Sequence, residues 1–174
     1  MTITCIDYTI KTYVMADIVL ELTISDLFKE IARRSSIATE TDPFYSAKSM
    51  LQKQNSQLHG DRLTRDFARE AAKEVLKAFL NRLYDVSGEA FEFDSATNPG
   101  KIIYRFAESN DPLPANQTAA IVANMSDNIR DAIIYYILVS LYRTDGNKGK
   151  EAELTAKALL LIDELSAALF RLHD

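Results

Sequence analysis

The last third of the chain has helical periodicity from Pro114 to Leu172, broken only by the turn-forming stretch Thr144 to Gly149. Apolar residues recur at intervals of three and four, which places them on one side of a helix. They are Ile121, Val122, Met125, Ile129, Ile133, Ile137 and Leu141 before the turn, and Leu154, Ala158, Leu161, Ile162, Leu165 and Leu169 after it. The short connection predicts an antiparallel pair of helices, 114–143 and 150–172.

The first of these helices carries more apolar surface than one core side needs. Ile134, Tyr135 and Leu138 lie outside its main stripe, and Tyr142 adds an aromatic ring near its end. Side chains of this kind need a second partner, either another element of the same chain or a neighbouring subunit. We therefore treat Ile134, Tyr135, Leu138 and Tyr142 as the candidate interaction surface.

A third helix is predicted over Asp61 to Tyr84, with an apolar stripe that includes Phe67, Val75 and Phe79. The predicted core of the protein packs this helix against the C-terminal pair and buries Phe67, Val75, Phe79, Ile129, Ile133, Ile137, Leu161 and Leu165. Its other side alternates arginine and lysine with aspartate and glutamate. Interleaved charges neutralise the basic field, which indicates a solvated helix surface and not a nucleic-acid site.

The N-terminal part predicts a strand followed by a helix. Residues from Thr4 to about Tyr13 alternate between apolar and polar, which is typical of a strand. From Val14 the spacing changes to three and four and continues to Arg34, which predicts a helix over 14–34. Its start could be as early as Ile10, because β-branched residues carry only a modest helical penalty.

The segment 35–60 is predicted to be mobile. Asp42 and Pro43 read as a cap and first residue of a second helix, which continues to a break near Gly60. Large apolar residues are sparse here, so the segment can bury little surface and should exchange its amide hydrogens faster than residues 61–84.

Residues 91–106 complete the predicted fold. Phe91 and Phe93 alternate with acidic residues, a turn follows at Asn98-Pro99-Gly100, and Ile102 to Phe106 is apolar again. This pattern predicts a short β-hairpin. The chain of 174 residues is the usual length of one domain. We therefore expect a mainly α single domain, 1–174, a bundle of four to five helices with a short β-hairpin and an N-terminal strand.

Composition bounds the compartment and the partners. The single cysteine, Cys5, cannot form an internal disulfide, and the longest apolar run, Ala132 to Val139, is much shorter than the roughly 20 residues that cross a bilayer. The formal net charge of −5 opposes binding to a nucleic-acid backbone. These features predict a cytoplasmic protein that binds neither membranes nor nucleic acid.

No residue pattern predicts catalysis, a cofactor or a metal. His59 and His173 are remote from each other and have no glutamate three residues before them, so the spacing of di-iron and zinc sites is missing. Asp163 and Glu164 are sequence neighbours that point about 100° apart on a helix. The sequence therefore favours a protein without enzymatic activity and without cofactors.

One resemblance adds a function class. The helix Asp131-Ala-Ile-Ile-Tyr-Tyr-Ile-Leu-Val-Ser-Leu-Tyr-Arg143, the turn after it and the final helix from Lys150 to Leu172 resemble small helical head–tail connector or adaptor proteins of tailed bacteriophages and prophages. The resemblance is one of element order and pattern over most of the chain, without a diagnostic motif. It implies a structural subunit, in the virion, whose partners are portal- or tail-like proteins or copies of itself.

Two alternatives remain at this point. The chain could be a helical adaptor that binds a partner protein through residues 44–58 or an exposed apolar patch. It could also be an enzyme whose site is assembled from scattered polar residues. Because the net charge of −5 keeps subunits apart, we expect a monomer in solution that assembles only on a template.

Overall fold

The computed structural model describes residues 17–57, 62–80, 91–107 and 114–173. It is mainly helical with a small antiparallel sheet, as the sequence predicts. The elements in chain order are β1 (Asp17–Thr23), α1 (Ile24–Ile37), α2 (Ala47–Gln57), α3 (Arg62–Leu80), β2 (Phe91–Phe93), β3 (Lys101–Ala107), α4 (Ala115–Thr144) and α5 (Lys148–His173).

Helix α4 is the centre of the molecule. It runs antiparallel to α5, because Asn128 donates to Glu164 near one end and Arg143 to Glu151 near the other. Of the predicted core, Val75, Ile129, Ile133, Ile137 and Leu165 are buried, and Phe67 and Leu161 are partly buried against them. The side chain of Phe79 lies outside the described residues. The predicted hairpin of helices and its packing on α3 are therefore confirmed.

The sheet has the strand order β1-β3-β2, with both pairs antiparallel. Tyr104 of β3 stands opposite Leu20 of β1 and Phe91 of β2. Its ring is fully buried and its hydroxyl donates a hydrogen bond of 2.8 Å to the carbonyl oxygen of Ala72 in α3. One side of the sheet thus packs on α3, and the predicted hairpin 91–106 is confirmed as two of its strands.

A strand, β1, lies where the sequence predicts the beginning of the first helix. Residues 17–23, assigned above to a helix over 14–34, form β1, and the helix begins only at Ile24. Leu20 is buried while Val19 and Glu21 are exposed, so this stretch also has the alternation of a strand. Pairing with β3 satisfies the backbone groups of β1 and decides between the two patterns. The strand predicted over Thr4 to Tyr13 lies outside the described residues.

Helix α2 begins four residues later than predicted. The Asp42 side chain accepts a hydrogen bond from the Phe44 N–H at 2.8 Å, and the Asp42 carbonyl accepts one from Tyr45. These bonds close a tight turn over 42–46, and regular helix follows from Ala47. The predicted break near Gly60 lies outside the described residues.

The segment 35–57 contributes to the core. Phe44, Ala47 and Leu51 are all less than a tenth exposed. The three buried side chains anchor the turn and α2 on the rest of the molecule. Fast amide exchange of residues 35–60 stays a prediction. Local opening of this segment would have to expose the three buried side chains, which costs free energy.

Candidate functional site

The candidate interaction surface on α4 is covered by the chain itself. Ile134 and Leu138 are 0% exposed, and the Tyr135 ring lies 6.1 Å from the ring of Phe44. Tyr142 is buried and its hydroxyl donates a hydrogen bond of 2.6 Å to the Pro43 carbonyl. Of the two partners considered for Ile134, Tyr135, Leu138 and Tyr142, the structure therefore shows other elements of the same chain. The 42–46 turn covers Tyr135 and Tyr142, because the Asp42 bonds fold Phe44 back toward α4.

Arg34 ties α1 to this same region. Its guanidinium donates to Glu30 within α1 at 2.8 Å and to Asp131 of α4 at 2.7 Å. The cation also lies 5.3 Å from the centre of the Phe44 ring, within the range of a cation–π contact. Arg34 therefore joins α1, the 42–46 turn and α4 in one polar contact.

The carboxyl of Glu30 is the most strongly perturbed acid in this contact. Hydrogen bonds from Arg33 and then Arg34 lower the pKa of Glu30 from 4.5 to about 2. A carboxylate that accepts charged donors is stabilised in its ionised form, so protonation in acid weakens these bonds.

Stability should therefore fall in acid partly through Glu30. Because the folded-state pKa is below the unfolded value, the stabilisation is present above about pH 4.5 and is lost as the pH falls toward 2. Arg33, the first of the two donors, is 60% exposed, so solvent screening limits the effect to about 1 kcal/mol. Denaturant unfolding of wild type and Glu30→Gln between pH 2 and 7 measures it. We expect the two curves to converge at low pH, and curves that stay parallel would contradict this role of Glu30.

An open apolar cleft lies between α1, α2, α3 and the β2–β3 turn. Its volume is about 690 Å³ and its floor contains Ile24, Phe28, Ala32 and Leu51. We call it the α1–α3 cleft. The volume is typical of a ligand-sized cleft.

The rim of the α1–α3 cleft carries charge. Lys29 and Arg65 line it and both side chains are at least half exposed. Arg65 forms an ion pair with Asp94, a largely buried residue whose carboxylate also accepts a hydrogen bond of 2.6 Å from Gly100. A guanidinium has five N–H donors, more than one carboxylate accepts, so Arg65 can still bind a further anion.

The β2–β3 turn shapes this rim. Asp94 and Gly100 both have positive φ, 46° and 71°, which aspartate tolerates better than most residues and glycine adopts without strain. The Gly100 carbonyl accepts a hydrogen bond from the first residue of α1, Ile24, at 2.9 Å. The sequence predicts a turn at Asn98-Pro99-Gly100. It does not indicate that Asp94 pairs with Arg65 of α3.

A second cleft, of about 480 Å³, lies between residues 40–53 and the α4–α5 turn. Its polar groups serve the local fold: Asn147 accepts from the Lys150 N–H, and the Lys150 ammonium donates to the Thr41 carbonyl at 3.0 Å. Burial and then the charges of Asp145 and Asp42 raise the pKa of Tyr142, so its hydroxyl remains a donor. Over the part of the chain that the structure describes, no three histidine, cysteine or acidic side chains gather as a metal site requires.

The outer side of α5 is apolar. Successive residues of a helix are rotated by about 100°, which places its residues on the side opposite to buried Leu154, Ala158, Ile162 and Leu165. We define the leucine face as the exposed residues Ala152, Ala156, Leu159, Leu160 and Ala167. Leu159 is 38% and Leu160 61% exposed. Asp163 interrupts the face and Glu164 flanks it.

The exposed sides of α1 and α3 differ from this face. Lys29 and Arg33 on α1, and Glu70, Lys73 and Lys77 on α3, are exposed and form ion pairs with residues three positions away on their own helix. Exposed helix surfaces normally carry such charges, and clustered exposed apolar side chains mark interaction sites. The sequence analysis does not identify the leucine face. Ala156, Leu159 and Leu160 nevertheless have the spacing of three and four that places them on one side of a helix.

The remaining residues considered in the sequence analysis are Asp163, Glu164, Cys5, His59 and His173. Asp163 and Glu164 are both exposed on α5, while Cys5 and His59 lie outside the described residues and nothing is described of the His173 side chain. None of the helices, as far as they are described, has both the length and the apolar character needed to span a membrane. Comparisons with protein-family models, with curated proteins and with solved structures found no match to this chain.

Proposed function

We propose that the protein is a non-enzymatic structural or assembly subunit, of the kind that the head–tail connector resemblance implies. The leucine face of α5 carries the proposal. It is a clustered apolar surface on a long helix that packs against α4, and its leucines, Leu159 and Leu160, are 38% and 61% exposed. Small alanines on both sides of the leucines let a partner helix approach closely.

The partner in this proposal is a portal- or tail-like protein or another copy of the chain. A helical adaptor for another protein would use the same face, since Phe44 and Leu51 of the 44–58 segment are buried. The two proposals differ in the partner: an assembly subunit binds a protein of the virion, and an adaptor binds a protein that has no part in it.

Site-specific photo-cross-linking in the natural host tests the proposal. A photoreactive amino acid at Leu160 should give a cross-linked product whose second component is a portal- or tail-like protein or the chain itself. The matched control has the same amino acid at Lys73, which is exposed on the charged side of α3. If position 160 gives no product beyond that of position 73, the leucine face is not an assembly surface. A product with a protein that has no part in a virion would favour the adaptor alternative.

A further inference from the structure

The leucine face and the α1–α3 cleft have complementary chemistry. The face is convex and apolar, with the carboxylates Asp163 and Glu164 one helical turn after Leu159 and Leu160. The cleft is concave and apolar. The ammonium of Lys29, which pairs with Asp26, and the guanidinium of Arg65, which pairs with Asp94, stand at its rim, and both cationic side chains are at least half exposed. Because both cations have further N–H donors, an apolar ridge with acidic side chains fits this cleft.

We propose that the leucine face of one copy docks into the α1–α3 cleft of a second copy. The inference rests on the proposed assembly function and names the partner of the same surface. In the contact, Leu159 and Leu160 cover the floor formed by Phe28, Ala32 and Leu51. Asp163 and Glu164 then approach Lys29 and Arg65.

Such a contact is head-to-tail, because the two surfaces share no residue. Each copy keeps one unoccupied leucine face or cleft for the next copy, so the contact repeats until a ring closes or a filament grows. The net charge of −5 weakens it between dilute monomers. A template that holds several copies raises their effective concentration and populates the contact without any new interaction.

Two nearly isosteric cysteine substitutions test the contact in the purified full-length chain. Ala156→Cys is on the leucine face and Ser25→Cys lines the cleft, and both leucines remain. Cys5, the only natural cysteine, is replaced by serine in every variant. A short bismaleimide added to a concentrated mixture of the two variants should give a dimer linked between positions 156 and 25. Each variant alone should give severalfold less. Lys73→Cys mixed with either variant is the control.

The outcomes separate the inference from its alternatives. An equal yield from Ala156→Cys alone would replace it with symmetric pairing of α5 helices, and a mixture no better than the Lys73→Cys control would refute it. If this test fails while Leu160 cross-links to a virion protein, the assembly function stands and the contact between copies does not.

Charge reversal checks that the docking is the one proposed. Lys29→Glu in the Ser25→Cys variant should lower the yield severalfold, and Glu164→Lys in the Ala156→Cys variant should restore it. Circular dichroism confirms that each variant is folded. A yield that does not respond to either change contradicts the proposed orientation.

Discussion

Ile133→Ala and Leu165→Ala should each lower the free energy of unfolding by about 2–5 kcal/mol. Both side chains are 0% exposed, and they lie in the two central helices α4 and α5. Truncation loses the apolar burial and leaves a cavity that rigid neighbouring helices cannot fill. The loss is a large part of the stability of an ordinary domain, about 5–15 kcal/mol.

Denaturant unfolding followed by circular dichroism measures this effect. Leu160→Ala is the matched control, since it removes the same side chain as Leu165→Ala from the exposed side of the same helix. We expect the control to change stability by at most about 0.5 kcal/mol. Midpoints that agree for Leu160→Ala and Leu165→Ala would mean that α5 is oriented differently on α4.

Local periodicity explains why the C-terminal half could be predicted. The core positions repeat every three or four residues in α4, of 30 residues, and in α5, of 26 residues, and one turn connects the two helices. Such a pair forms its contacts between residues that are close in sequence. The predicted boundaries of the two helices therefore agree with the structure within two residues. Five of the eight predicted core residues are buried, and two others are partly buried.

Long-range pairing explains why β1 could not be predicted. The sequence Ile18 to Leu22 fits both a helical stripe and a strand, and its strand partner Ile102 to Phe106 lies about eighty residues away. Whether these residues form a strand depends on backbone hydrogen bonds with that partner, and the local pattern of apolar residues does not show them. The same reason applies to the α1–α3 cleft, because Asp94 and Arg65 meet only after α3 and the sheet have packed.

The excess apolar surface of α4 could be predicted only in part from the sequence. The widened stripe at Ile134, Tyr135 and Leu138 correctly indicates that α4 needs a second partner. It does not indicate which element supplies it, because Phe44 lies in the segment 35–60, whose few large apolar residues predict mobility. The turn set by Asp42 brings Phe44 to α4, while Leu159 and Leu160 of α5 remain exposed.

The side chain of Phe44 packs the 42–46 turn against α4. It is 7% exposed, its ring lies 6.1 Å from that of Tyr135, and the Arg34 cation stands 5.3 Å from its centre. Phe44→Ala should therefore lower the free energy of unfolding by about 3–5 kcal/mol. Loss of the ring also removes the cation–π contact of Arg34 and uncovers Tyr135.

The local consequence is the sharper test of this anchor. Without Phe44, the turn and α2 lose a buried ring and keep smaller buried side chains, those of Pro43, Ala47 and Leu51. Their amide hydrogens should therefore exchange faster than in the wild type, while those of α3 keep their relative protection. Tyr45→Ala is the matched control, because it removes a neighbouring aromatic side chain that is 50% exposed. Hydrogen exchange with mass spectrometry, alongside denaturant midpoints, distinguishes the two variants. Equal exchange and equal midpoints in Phe44→Ala and Tyr45→Ala would show that the turn is not anchored by Phe44, and residues 35–57 would then be the mobile tether that their composition predicts.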